Sequence, residues 1–328
     1  MIPVFRSDAF KLAVFVAATA VLAALLAPAL YALGQWALRE GHFDSGPLAG
    51  WRESVERAQI TRYFNRAVML SVLALAWPFL KWIGIRSEGG LLLLRKNPRR
   101  WAHLAAGFAL AAGSLLLLGA FYVKIGWYKP NPDAGSLLSR VGSALGTGLS
   151  VGVIEEFLFR GILFGFILRT MRPLGGLVFL SAFFAVAHFL KPPDHLDPPP
   201  VTWTTGFWLL GRIFGQFAEA DVLLAELSLL FCVGWVLGYA RLKTESLWLS
   251  IGLHAGWVFG VKLFSAGTRK VAAIAAMLPW AGPNLRVGIN SVLIVCGCGV
   301  LISLWLRRGH PRSAFAPPDA DGGDERVA

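Results

Sequence analysis

The chain has 328 residues, of which 56% are hydrophobic and only 15% are charged, with a formal net charge of +12. Its mean hydropathy of +0.60 is typical of a polytopic membrane protein and excludes an ordinary soluble enzyme. The positive charge does not indicate nucleic-acid binding, because the basic residues cluster between apolar runs, as they do at membrane edges.

The apolar runs predict an all-α membrane bundle of about eight transmembrane helices. The first run is longer than the core of a usual signal peptide, so we expect it to remain as an uncleaved span. In the polar connection at 34–66, the spacing of Glu53 and Arg57 predicts a helix on the membrane surface. The predicted spans lie at about 10–33, 67–85, 102–124, 141–168, 174–190, 222–240, 247–265 and 287–306.

The Lys and Arg residues of the short loops follow the even-numbered spans, so we expect both termini to be cytoplasmic.

Composition divides the chain into four parts. The C-terminal tail is rich in Pro, Gly and Asp, which predicts disorder. The parts are N-terminal helices with a surface segment at 1–135, a helical core at 136–270, a C-terminal helix at 271–312 and the tail at 313–328.

Three ionisable residues, Glu155, Glu156 and Arg160, lie inside the fourth apolar run. A charge in a membrane helix costs at least about 2.5–3.5 kcal/mol, so such residues are rarely without a function. Arg160 follows Glu156 by four residues, which places both side chains on one helix face as an ion pair. Glu155 is rotated by about 100° from Glu156 and has no basic residue three or four positions away. The pattern predicts one neutralised pair and one carboxylate directed into the bundle.

Two glycines near Glu155 and two histidines on later spans extend this interpretation. Gly152 and Gly148 lie one and two turns before Glu155, and such small residues let another helix approach closely. Two later spans carry His188 and His254 in apolar surroundings. A lone histidine would indicate packing, but two histidines and a glutamate on separate spans favour one shared cavity. A carboxylate with an imidazole can activate water, and a second imidazole can stabilise an oxyanion, so the sequence predicts a hydrolase.

These intramembrane residues resemble the CPBP family of intramembrane proteases. That family includes the type II CAAX prenyl endopeptidases (Rce1-like) and bacterial bacteriocin-processing and self-immunity proteins. The resemblance covers about 148–258, and its motifs are Glu155-Glu156-x-x-x-Arg160, Phe184-x-x-x-His188 and, on a later span, His254.

The resemblance implies a role for each matching residue. Glu155 would activate the attacking water, His188 would orient or share that water, and His254 would help to hold the oxyanion. Glu156 and Arg160 would support the site structurally. The family usually has Asn or Asp four residues after the last histidine, where this chain has Val258. Losing one oxyanion donor costs about 100–1000-fold in rate, and Ser250, one turn before His254, is a candidate replacement.

A metal site is a second possibility for the same residues. Glu155, His188 and His254 would suffice for zinc, which commonly has three protein ligands. The chain has no His-Glu-x-x-His motif, however, and the resemblance favours a metal-independent glutamate mechanism. We therefore expect no cofactor.

The expected function is an intramembrane endopeptidase that cleaves a membrane-embedded or membrane-tethered protein within the lipid bilayer. One alternative is a non-catalytic relative, a membrane chaperone or immunity protein, which Val258 favours. A proton-coupled transporter is the other, although the symmetric broken segments that favour it are not visible. The resemblance to bacterial members implies a multi-pass protein of a bacterial inner membrane.

Overall fold

The computed structural model describes residues 8–84, 97–193, 196–213 and 220–309. Most of the basic loop predicted at 86–100 and the whole tail at 313–328 lie outside the described residues.

The described chain is helical over most of its length. A 3₁₀ turn at Gly46–Trp51 precedes α2 (Arg52–Glu56). A π-helical segment at Phe157–Leu163 joins α5 (Leu137–Glu156) to α6 (Phe164–Ile167) without a break. Two short strands, β1 (Tyr128–Pro130) and β2 (Thr268–Lys270), complete the fold. The helices are α1 (Asp8–Arg39), α2 (Arg52–Glu56), α3 (Ile60–Trp82), α4 (Arg100–Lys124), α5 (Leu137–Glu156), α6 (Phe164–Ile167), α7 (Pro173–Ala187), α8 (Thr205–Arg212), α9 (Ala220–Thr244), α10 (Trp248–Gly267), α11 (Ile274–Met277) and α12 (Ile289–Gly309).

In the part of the chain that the structure describes, six helices are long and apolar enough to cross a membrane. They are α1, α3, α4, α9, α10 and α12, and they confirm the predicted polytopic helical bundle. The fourth predicted span is divided among α5, the π-helical segment and α6. The fifth corresponds to α7, whose 15 residues are fewer than the roughly 20 that a typical span needs.

The predicted surface helix between the first two spans is the short helix α2. Its expected ion pair forms, with Arg57 Nη2 at 2.8 Å from Glu53 Oε1 and both side chains largely exposed. Exposed pairs of this kind contribute little to stability.

The chain groups into two compact units. The first contains the described parts of Met1–Leu91 and Ala185–Leu224, where α1 packs against α3 and α8. The second contains the described parts of Leu92–Phe184 and Ala225–Ala328. The division of the sequence at 135, 270 and 312 stays a prediction.

Helix α10 is the centre of the second unit, because it packs closely against both α4 and α5. Toward α4, glycine recurs every four residues at Gly252, Gly256 and Gly260, so this face of α10 consists of backbone. A Cβ atom at Gly256 would lie 2.6 Å from the Phe108 carbonyl oxygen, and one at Gly260 would lie 3.0 Å from the Leu115 Cβ. The glycines therefore allow a close helix contact that fixes α10 in place.

A small antiparallel ribbon ties the end of α4 to the end of α10, because Tyr128 pairs with Lys270 and Pro130 with Thr268. The Tyr128 hydroxyl donates to the Gly282 carbonyl at 2.8 Å, and burial raises the pKa of Tyr128 to about 12. From the sequence we expect only interfacial aromatic residues and a turn here, since three-residue strands have no visible periodicity.

Candidate active site

Two glycines of α5 place its glutamates against α10. A Cβ atom at Gly148 would lie 2.6 Å from the Ala255 carbonyl oxygen, and one at Gly152 would lie 3.0 Å from the Ala255 nitrogen. The predicted close approach of another helix is therefore confirmed. Because Ala255 follows His254, this contact also brings the imidazole to the C-terminal end of α5.

Glu156 is the centre of a buried polar cluster. Its Oε1 accepts a hydrogen bond from Arg160 Nη1 at 2.9 Å and lies 2.8 Å from His254 Nδ1. The side chains of Glu156 and Arg160 are completely buried, and that of His254 is 7% exposed. The predicted ion pair is confirmed, and His254 is an additional partner. Such a buried cluster depends on every member, since removal of one leaves a charge without compensation.

Arg160 connects this cluster to two other helices. Its Nη2 donates to the Gly234 carbonyl of α9 at 3.2 Å, and its guanidinium carbon lies 4.3 Å from the ring centroid of Phe184 in α7. The Phe184 ring also lies edge-on to His254, with centroids 6.0 Å apart. The aromatic residue of the second motif thus packs between the arginine and the imidazole, a role that the spacing does not reveal.

The π-helical segment begins directly after Glu156 and contains Arg160. π-Helical turns are rare and occur frequently at functional sites. This one was not predicted, because the apolar run continues without a glycine–proline break or a change of periodicity. Its position singles out the glutamate end of α5 as a special part of the bundle.

Glu155 faces the same imidazole as Glu156 but in a different environment. Its Oε2 lies 3.8 Å from His254 Nε2, and its side chain is 27% exposed, whereas Glu156 is completely buried. This separation is too long for a direct hydrogen bond. One water molecule can contact both groups across such a distance. The two ring nitrogens of His254 are therefore directed at two different carboxylates.

The tautomer of His254 follows from these contacts. When Nδ1–H donates to Glu156, Nε2 of the neutral ring is an acceptor, and only a bridging water could donate to both Nε2 and the Glu155 carboxylate. With a proton on each ring nitrogen, both nitrogens are donors.

His188 lies just beyond the last residue of α7 rather than within the predicted span. The prolines Pro192 and Pro193 follow shortly after it and do not continue a helix. His188 is partly buried and belongs to the first compact unit, whereas Glu155 and His254 belong to the second. Its role in orienting the water stays a prediction.

The two positions weighed for the oxyanion lie on α10. The buried hydroxyl of Ser250 donates to the Leu247 carbonyl at 2.9 Å and also lies within interaction range of the Glu156 carboxylate. Val258 is partly buried and offers no polar group. The replacement of the missing donor by Ser250 stays a prediction.

Among the described residues, no three His, Cys, Asp or Glu side chains are grouped so as to hold a metal ion. Glu155 and His254 face each other, but three protein ligands are usual for zinc. The expectation of no cofactor stays a prediction, and the mechanism proposed below routes no step through a metal.

Residues 137–260 match the family model described as Type II CAAX prenyl endopeptidase Rce1-like. The matched segment contains all five predicted site residues, and the resemblance inferred from their motifs is confirmed. The match supports an intramembrane endopeptidase of the CAAX type and, with the six apolar helices, an integral membrane protein. No curated protein and no solved structure gave a match to the chain.

Proposed function

We propose that the chain is an intramembrane endopeptidase that hydrolyses a peptide bond of a membrane-embedded or membrane-tethered protein with a water activated by Glu155. The observation that carries this proposal is the geometry of His254, whose Nδ1 lies 2.8 Å from Glu156 and whose Nε2 lies 3.8 Å from Glu155. One imidazole is thus held by a buried carboxylate while it faces a partly exposed one. The family match over 137–260 supports the protease class.

The reaction starts with a water molecule between Glu155 and His254. Glu155 takes a proton from this water as its oxygen attacks the carbonyl carbon of the substrate. A positioned carboxylate of this kind contributes about 10²–10⁴-fold to a rate. The tetrahedral intermediate then collapses, the C–N bond breaks, and Glu155 returns the proton to the leaving amine. We assign His188 to the orientation of the water, as the resemblance implies.

His254 stabilises the negative charge of the intermediate. His254 enters the reaction with a proton on each ring nitrogen, so Nε2–H donates to the oxyanion while Nδ1–H stays on Glu156, and neither of these protons is transferred. Glu156 is a positioning residue in this scheme, because it touches the imidazole and Arg160 but has no exposed surface for a substrate. Arg160 neutralises Glu156 and prevents it from competing with Glu155 as a base.

The partial exposure of Glu155 has a functional reason. Hydrolysis consumes water, which the hydrocarbon core of a bilayer excludes, so the base needs access to a hydrated cavity. Of the two glutamates, only Glu155 has an exposed part, 27% of its side chain, through which water can reach the site, while its Oε2 atom, which faces His254, is buried. We further propose a bacterial inner membrane location with cytoplasmic termini, as the distribution of Lys and Arg favours.

The test uses the full-length protein in lipid nanodiscs with two fluorogenic reporters. One is a farnesylated peptide with a C-terminal CAAX sequence, and the other is a peptide with a single transmembrane helix. We expect wild-type protein to cleave at least one reporter, and Glu155→Ala to lower that rate by about 10²–10⁴-fold. Glu53→Ala, at an exposed glutamate on α2, is the control and should leave the rate unchanged.

Two results would contradict the proposal. Cleavage that survives Glu155→Ala would remove the proposed base. A rate that is lost on treatment with a zinc chelator and restored by zinc would replace the metal-free mechanism.

The second candidate is a non-catalytic membrane chaperone or immunity protein. The observation that favours it is Val258, an apolar side chain where the family usually carries Asn or Asp. Photocrosslinking of the same reporters separates the two candidates. Crosslinking to wild-type protein without any cleavage in either reporter would support the binding protein.

A further inference from the structure

Helices α9 and α12 run side by side in the second unit and leave an open groove between them. Two pairs of neighbouring residues set their register, Cys232 with Cys296 and Tyr239 with Ser303. Tyr239 follows Cys232 by seven residues on α9, and Ser303 follows Cys296 by seven residues on α12. The two helices are therefore parallel and end on the same side. The groove encloses about 320 Å³.

The walls of this groove are apolar over most of its length. A Cβ atom at Gly299 would lie 2.8 Å from Val236 Cγ2, so the two helices touch at the floor of the groove. Val300 and Cys296 are exposed at its opening. Both helices are long and apolar enough to span a membrane, so an open groove between them faces acyl chains. The other apolar wall residues are Phe231 and Trp235.

One end of the groove is polar and positively charged. The hydroxyls of Tyr239 and Ser303 lie 3.1 Å apart there. Lys243 of α9 and Arg307 of α12 follow one turn later, and the Lys243 ammonium is 5.9 Å from the centroid of the Tyr239 ring. Among the residues that the structure describes, neither cation forms an ion pair with an Asp or Glu.

We propose that the groove between α9 and α12 binds an anionic phospholipid. An acyl chain lies along Trp235, Val236 and Gly299, and the phosphate lies at the end that carries Lys243 and Arg307. The Tyr239 and Ser303 hydroxyls can donate hydrogen bonds to the phosphate oxygens. Basic pockets between membrane helices are the usual chemistry for such headgroups.

Charge complementarity favours this occupant over the alternatives. Because α9 and α12 are parallel, both cations reach the same leaflet, and each contributes roughly fivefold to the affinity for an anionic lipid. A zwitterionic lipid fits the apolar part equally well but gains less from the two cations. A transmembrane helix of a partner protein would fill the apolar part without using either charge.

Cys296 provides a reporter, because it is exposed at the groove whereas Cys298 is buried and serves as an internal reference. The full-length protein in neutral detergent is titrated with phosphatidylglycerol or phosphatidylcholine, and the rate of maleimide modification at Cys296 is followed by peptide mass spectrometry. We expect phosphatidylglycerol to protect Cys296 at a concentration roughly tenfold or more below that of phosphatidylcholine.

Matched variants test the two parts of the site. Removing both cations with Lys243→Gln and Arg307→Gln should raise the phosphatidylglycerol concentration needed for protection by roughly 25-fold. The control, Lys81→Gln with Lys124→Gln, removes the same charge from the last turns of α3 and α4 and should leave protection unchanged. Val300→Trp narrows the groove without a change in charge and should weaken protection by both lipids.

Three outcomes would overturn the proposal. Equal protection by the two lipids would mean that the groove takes any acyl chain. Protection by inorganic phosphate alone would mean that it is an anion site without a lipid. Protection that needs no lipid and increases with protein concentration would mean that a second copy of the chain covers the groove.

Discussion

Helix α10 contacts a neighbouring helix closely on two faces, and only one of these faces carries charge. Toward α4 the contact is made by the backbone at Gly252 and Gly256, with apolar residues around it. Toward α5 the contact is made at Ala255. The neighbouring residue of α10 is His254, whose Nδ1 lies 2.8 Å from the Glu156 carboxylate of α5. Both contacts are therefore close, while the chemistry differs.

This difference separates architecture from activity. The α4 face needs only small residues, because its task is to hold α10 at a fixed distance. The α5 face needs small residues as well, since the distance from His254 to the two glutamates depends on them. A change on the first face should therefore act on stability, and a change on the second face should act on the rate of cleavage as well.

The largest effect is expected within the charged face. Arg160→Met leaves Glu156 as a buried carboxylate without its cationic partner, which costs about 3–5 kcal/mol of unfolding free energy. Denaturant unfolding in detergent micelles measures this loss. The double variant Glu156→Leu with Arg160→Met removes both charges and should recover most of it. A single variant that unfolds like the wild type would show that the cluster does not hold this face together.

A smaller effect is expected from one methyl group on each face. Gly256→Ala crowds the Phe108 carbonyl and should lower the unfolding free energy by about 1–3 kcal/mol, with cleavage lost only in proportion to unfolded protein. Gly152→Ala presses on Ala255 at 3.0–3.2 Å and moves α5 away from His254. Because a misplacement of 1 Å can cost about 10²-fold, its cleavage rate should fall further than its stability explains.

The two alanine variants are compared by cleavage rate at matched amounts of folded protein. If Gly256→Ala slows the folded enzyme as much as Gly152→Ala does, the two faces of α10 do not have separate tasks.

A gain of about tenfold in cleavage is expected from Val258→Asn, which adds a hydrogen-bond donor one turn after His254. The side chain is partly buried, so the fold should tolerate the amide. The measurement is the initial rate with the cleaved reporter, and Val261→Asn on the same helix is the control. An unchanged rate would show that another group already stabilises the oxyanion.

The smallest effect is expected outside both faces. Arg57→Gln removes the exposed ion pair with Glu53 on α2 and should change the unfolding free energy by less than about 0.5 kcal/mol. The same denaturant titration measures it, and a loss comparable to that of Arg160→Met would mean that burial is not what distinguishes the two pairs.

The positions of the helices were predictable because long apolar runs are a local property of the sequence. The Glu156–Arg160 pair was predictable for the same reason, since it depends only on a four-residue spacing. The carboxylate that contacts His254 Nδ1 was not predictable. Glu156 and His254 are 98 residues apart, and the choice between two adjacent glutamates depends on how α5 packs. The glycine face of α10 left a visible signal, the repeated four-residue spacing, which points to a helix contact but not to the partner helix.

Two other features could not be predicted from the sequence. The π-helical segment changes the winding of the helix within an apolar run, and neither Arg160 nor Gly161 inside it predicts that change. Helix α7 ends at Ala187 and continues through Leu190 in turns with bonds three residues apart, a change that a hydropathy pattern does not reveal.

The central claim is that two adjacent glutamates have separate tasks, Glu155 in catalysis and Glu156 in positioning His254. The most direct measurement compares Glu155→Gln with Glu156→Gln for both reporter cleavage and unfolding free energy. We expect Glu155→Gln to lose about 10²–10⁴-fold in rate with little change in stability, and Glu156→Gln to lose about 3–5 kcal/mol of stability. The opposite pattern, a stable and inactive Glu156→Gln beside an active Glu155→Gln, would contradict this assignment.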